Sequence, residues 1–192
     1  MGAGDDILAN NCLPVVGLYR DIYGIEPRFN RLYLEPHITK ELNGTRIRYR
    51  LRDQDYFIEL SINNYSMSSN SFTVWSSANF SMNTEENRLF WFQGRSQSPS
   101  FILTRNKQTD IRIEILRWNT DGKLSLRWNA QTETESVVTD YDIYQLSPGS
   151  QYEINRNGQA YKTVKSDATG KIHFSTIADP EIEYNYEIRQ TE

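Results

Sequence analysis

Cleavage of a glycosidic bond takes two carboxyl groups, one of them kept protonated. The close acidic pairs of this chain include Asp5-Asp6, Asp53 with Asp55, and Glu85-Glu86. None sits in the apolar surroundings that raise an acid's pKa. Asp53 and Asp55 fall at a hairpin tip, where aspartate serves turn geometry, and Glu85-Glu86 falls in a polar loop. The two histidines, His37 and His173, have no cysteine or histidine at metal-binding spacing. Cys12 is the single cysteine, which excludes an intrachain disulfide and reads as a packed thiol. No nucleophile-elbow motif is present. The residues thus point to no catalytic group, no metal ligands and no cofactor.

Binding chemistry is better represented. Arg46, Arg48, Arg50 and Arg52 form a basic stripe that could meet an acidic polysaccharide or a phosphate backbone. Its alternative is the solvent face of a hairpin, balanced by Asp55 and Glu59 opposite. Aromatic faces are the usual platform for the C–H faces of sugars. The candidates are Tyr65 in a polar loop, Trp75 in phase with Thr73, Trp91 between Phe90 and Phe92, and Trp118, out of phase with the isoleucines of its strand. A third kind of surface is the apolar stripe Val15, Leu18, Tyr19 and Ile22, at helical spacing, which suits contact with another domain.

The elements that must position these residues are mostly strands. Pro14 to Tyr23 can form a short helix that ends at Gly24. From Gly24 on, helix gives way to strand alternation between Pro27 and Pro36. In Thr45–Arg52 and Asp55–Ile62 the apolar residues share one face. A turn at Asp53-Gln54 would set Leu51 against Tyr56, Tyr49 against Ile58 and Ile47 against Leu60. The other face would then set Arg52 against Asp55, Arg50 against Phe57 and Arg48 against Glu59. Residues 63–71 read as a polar loop, and residues 131–136 as another.

Further strands are expected at Phe72–Ser76, Arg88–Gln93, Ser100–Thr104 and Asp140–Leu146. A long hairpin is expected from Thr109–Asn119 and Gly122–Asn129, with Asp121-Gly122 at its tip. Another joins Gln151–Asn155 to Gln159–Lys165 through Asn157-Gly158, and Lys171–Ser175 and Glu181–Arg189 close the chain. Strands at this regular spacing suggest a sandwich.

Composition agrees with this frame. The chain has 192 residues, of which 38% are hydrophobic, with twelve Tyr, eight Phe and four Trp to carry a core. Its net charge of −4 argues against nucleic acid as a partner. No apolar run is long enough to span a bilayer. Asp6 stands where an N-myristoylation signal would carry Ser or Thr.

The junction and the first long hairpin resemble the C-terminal part of glycoside hydrolases and phosphorylases built on an (α/α)6 barrel. In that family the last barrel helix ends in a Gly-Ile-x-Pro step, here Gly24, Ile25 and Pro27. A Leu-x-Leu-x-Pro strand follows, here Leu32, Leu34 and Pro36, and then a strand pair, here Tyr49 and Arg50 with Tyr56 and Ile58. The likeness covers residues 14–62. The tail from Tyr141 onward is similar to the Ig-like units appended to many bacterial polysaccharide-degrading enzymes. The resemblance implies that catalytic groups lie in a helical barrel, which this chain lacks.

The resulting expectation is an all-β protein: a short helix in residues 1–24, a jelly-roll or Ig-like sandwich over 25–107 and a smaller Ig-like sandwich over 108–192. Functionally the expectation is a non-catalytic ancillary module of a carbohydrate-active enzyme. Its partner would be a catalytic helical barrel of the same natural polypeptide, contacted through Val15, Leu18, Tyr19 and Ile22. The alternative is a free-standing carbohydrate-binding or adhesin module that holds an oligo- or polysaccharide on exposed aromatics. Either would work in the periplasm or outside the cell, with an export signal outside the present sequence.

Overall fold

Alternation at a two-residue period sends apolar side chains to one face of each strand and polar ones to the other. The computed structural model describes residues 14–29, 31–70, 72–85, 87–93, 98–106, 109–119 and 124–191. Among these are sixteen strands: β1 (Ile25–Arg28), β2 (Arg31–Leu34), β3 (Thr45–Leu51), β4 (Gln54–Leu60), β5 (Asn64–Ser68), β6 (Thr73–Ser77), β7 (Phe80–Glu85) and β8 (Arg88–Gln93), then β9 (Phe101–Arg105), β10 (Ile111–Asn119), β11 (Ser125–Thr132), β12 (Val137–Ile143), β13 (Gln151–Arg156), β14 (Gln159–Lys165), β15 (Ile172–Ala178) and β16 (Tyr184–Gln190).

They form two sheets, one ordered β1-β2-β7-β8-β9-β12-β15 and the other β14-β13-β16-β11-β10-β6-β5-β4-β3. The protein is an all-β sandwich. Aromatic rings close the space between its layers. Phe101 and Tyr141 of the first sheet meet Trp118, Trp128 and Tyr186 of the second at centroid distances of 5.3 to 6.2 Å within the cluster. Strands from either side of residues 107/108 share both sheets, since β6 pairs with β10 and β9 with β12. The boundary expected there is bridged, and the buried apolar side chains make one cluster.

Several local expectations are corrected. The β3–β4 hairpin turns at Arg52-Asp53, with Arg52 at φ +54, and pairs Ile47 with Ile58 and Tyr49 with Tyr56. This is a two-residue slip from the expected register. Such a slip leaves every side chain on its own face, so alternation cannot choose between the two. The expected loop at 63–71 contains β5, because Tyr65 and Met67 point into the core between outward Asn64, Ser66 and Ser68. The loop expected at 131–136 starts later, as β11 runs to Thr132. The N-terminal helix is α-helical at 14–17 and widens to a π-helix at Leu18–Ile22. Asp5, Asp6, Cys12, Glu86 and the Asp121-Gly122 tip lie outside the described residues. The Asn157-Gly158 turn has φ of +53 and +78, the geometry a two-residue hairpin demands. Among the described residues no helix is long and apolar enough to cross a membrane.

Candidate functional site

The first sheet turns Leu32, Leu34, Met82, Leu89 and Trp91 inward. Alternation therefore turns Arg31, Tyr33, Ser81, Asn83, Phe90 and Phe92 outward. Register aligns them in a row: Glu26 opposes Tyr33, Tyr33 opposes Asn83, and Asn83 opposes Phe90. Over this face lies a cleft of about 560 Å³, whose wall includes Arg20, Glu26, Arg28, Arg31, Glu35 and His37 besides the row. That volume lies within the range of small-ligand sites.

Gly24 fixes the cleft's edge. Its φ of +65 lets the chain leave the helix and pass under the Glu35 carbonyl, where a β-carbon would overlap. Glu35 N–H donates to Gly24 O at 2.8 Å and His37 N–H to Ile22 O at 2.9 Å, extending the β1–β2 ladder.

Asn83 is the unusual member. It is 1% exposed, and neither its Nδ2 nor its Oδ1 has a hydrogen-bond partner among the described residues. A carboxamide with two donors and an acceptor left unmatched costs about 1–3 kcal/mol for each such group. Most buried polar groups are matched, so this one needs a reason.

The charges around it are largely balanced. Arg28 donates to Glu26 Oε2 at 2.6 Å, and that hydrogen bond holds the Glu26 carboxyl below its usual range. Arg31 pairs with Glu85, and Arg20 with Asp21 at 2.8 Å. The guanidinium groups also stack: Arg28 lies 4.9 Å over Tyr33, and Arg31 and Arg88 lie 5.0 and 4.8 Å over Phe90. The arrangement offers the half-buried Tyr33 ring, an amide and screened charges, while Phe90, 7% exposed beneath two guanidinium groups, supports the face from below. It does not hold a protonated acid at Glu26.

The aromatics singled out from sequence fall elsewhere. Tyr65, Trp91 and Trp118 are core residues at 1%, 1% and 8% exposure, so their rings cannot serve as sugar platforms. Tyr65 Oη donates to the Phe80 carbonyl at 2.9 Å. Trp118 returns to the core phase because a bulge between Ile115 and Arg117 inserts Leu116. Trp75 is half-buried on the outer face of the second sheet, with the Arg112 guanidinium 4.0 Å over its ring.

The apolar stripe is split: Val15 is exposed, while Tyr19 packs on Tyr23 and Tyr49 of its own chain. Arg46 pairs with Glu59 at 3.4 Å and Arg48 with Asp55 at 2.9 Å, so part of the arginine stripe is neutralised. Arg50 and Arg52 donate to the carbonyls of Arg52 and Phe29. His173 Nδ1 lies 2.9 Å from Asp142 Oδ1, and His37 is exposed at the cleft. Among the described residues no group of three or more His, Cys, Asp or Glu could hold a metal ion.

The cleft itself escapes a sequence reading because it joins β1 and β2 to β7 and β8 across some fifty residues. The available signal was the alternation of Phe80, Met82 and Thr84 with Ser81, Asn83 and Glu85. No protein-family model, curated protein or solved structure matches the chain.

Proposed function

We propose that the protein is a non-catalytic carbohydrate-binding β-sandwich, and that the outer face of its first sheet holds an oligosaccharide in the cleft around Asn83. The observation that carries this is the sealed, unmatched Asn83 carboxamide between Tyr33 and Phe90. A carboxamide can donate to one sugar hydroxyl and accept from another, and the half-buried Tyr33 ring beside it can pack against a C–H face. The half-buried side chains of Tyr33 and Arg31, which line the same cleft, give way for the ligand to reach it. Paired charges favour a neutral polyhydroxyl chain over a polyanion, whose binding would rest on free cations.

Service as an ancillary module of a carbohydrate-active enzyme is compatible with this role, with a catalytic helical barrel as neighbour. The exposed Val15 and Val16 at the N-terminal helix are the surface left for such a contact. Affinity electrophoresis in gels cast with xylan, mannan, glucan or hydroxyethyl cellulose tests the reading. Retardation by at least one polysaccharide, abolished by Asn83→Leu, is expected. Unretarded migration in every gel would overturn it.

A further inference from the structure

Phe29 is the first residue of the turn between β1 and β2, where a two-residue hairpin demands positive φ, and it is an uncommon residue for that place. Its φ is +56, the left-handed region that glycine and asparagine enter readily and large side chains avoid. Its ring is 95% exposed, so burial does not offset that conformation. The turn is tied down by Arg52, whose Nη2 donates to the Phe29 carbonyl at 3.4 Å. That bond uses the backbone, and any residue at position 29 would supply it. The fold therefore gives no reason for a phenyl ring at this place.

The cleft does. Arg28 and Arg31 are register partners at the base of this turn, and both line the cleft. The stacked surface of Phe90, Arg31, Tyr33 and Arg28 thus runs up to the turn that carries Phe29. An exposed aromatic on a loop beside a cleft is placed to touch what the cleft holds.

We infer that Phe29 is a second stacking position at the mouth of the cleft, packing the face of a sugar ring beyond the one held at Asn83. The inference rests on the carbohydrate reading above and adds a length requirement: the ligand is a chain spanning both positions rather than a single sugar. An aromatic at the rim contributes only when the chain is long enough to reach it.

Calorimetric titration of the intact chain with disaccharides and hexasaccharides of cellulose, xylan, mannan and β-1,3-glucan tests this. Phe29→Ala is expected to weaken hexasaccharide binding up to about tenfold and to leave disaccharide binding within about twofold. Phe29→Trp is expected to retain the hexasaccharide affinity. Phe29→Asn should melt no lower than the parent, because asparagine is at ease at positive φ, and this separates lost stacking from lost folding. Hexasaccharide affinity untouched by Phe29→Ala, with Asn83→Leu still abolishing it, would overturn the role of Phe29 and leave the cleft standing. Failure of the parent protein to bind any of these sugars would overturn the cleft reading and this inference with it.

Discussion

Tyr33 and Asn83 oppose each other across β2 and β7, the phenol half-exposed and the carboxamide sealed without a partner among the described residues. An unmatched amide lowers the stability of the free protein, so removing it should raise stability. Asn83→Leu is expected to stabilise by about 1–3 kcal/mol, seen as a higher denaturant midpoint at unchanged slope. A lower midpoint would mean that Asn83 is matched in solution.

Gly24 and the Glu35 carbonyl are in such close contact that a side chain at position 24 must push the strands apart. Gly24→Ala also places a β-carbon at φ +65. A loss of about 3 kcal/mol or more is expected, together with a weakened cleft. Chemical denaturation measures it, and a loss under about 1 kcal/mol would show that the edge can move.

Alkaline pH should act through the buried tyrosines. Burial raises the pKa of Tyr141 well above its ordinary 10.0, with the Tyr186 charge adding to it. The folded state thus holds its proton where the unfolded chain releases it. The contribution is fully present below pH 10 and falls as pH rises beyond it. Among the described residues the Tyr141 hydroxyl has no well-formed hydrogen bond, so Tyr141→Phe should cost little at pH 7 and flatten the decline above pH 10. Tyr65→Phe, which removes a bond to the Phe80 carbonyl, should cost about 1 kcal/mol at neutral pH. Unfolding curves at pH 7 and above pH 10 distinguish the two. An unchanged alkaline slope in Tyr141→Phe would count against its being buried.

Arg105 is fully buried, its three guanidinium nitrogens have no partner among the described residues, and it stacks 4.1 Å over Phe72. Burial pulls its pKa down to about 10, against the pull of Asp110 upward. A cation whose folded pKa lies below its unfolded value penalises folding at every pH below that range. Arg105→Met is expected to stabilise by about 1–4 kcal/mol in thermal or chemical unfolding. Destabilisation by about 3 kcal/mol or more would show a working ion pair with Asp110 instead.

Local patterns carried much of the architecture. Asn157-Gly158 marks its hairpin because both positions need positive φ. Arg88–Gln93 forms a strand with the bounds its residues suggest. Long-range pairing and phase changes were less legible. Nothing in β6 announces a parallel partner in β10, and nothing near Leu116 announces the bulge that buries Trp118. Serines and asparagines masked the alternation of β5, whose two inward residues are enough to hold it. The cleft depended on all of this. Tyr33 and Phe90 stand on strands that can be read locally, but Asn83 gains meaning only when β7 lies between them.

The most direct test watches the Asn83 side-chain amide itself. Its two Nδ2–H resonances can be identified in a nitrogen–proton correlation spectrum by their loss in Asn83→Leu. Adding the oligosaccharide of whichever polysaccharide retards the protein should shift them, along with the backbone amides of Tyr33 and Phe90, while Trp75 on the other sheet stays still. Shifts confined to the second sheet, with the Asn83 amide unmoved at saturation, would contradict a sugar site in this cleft.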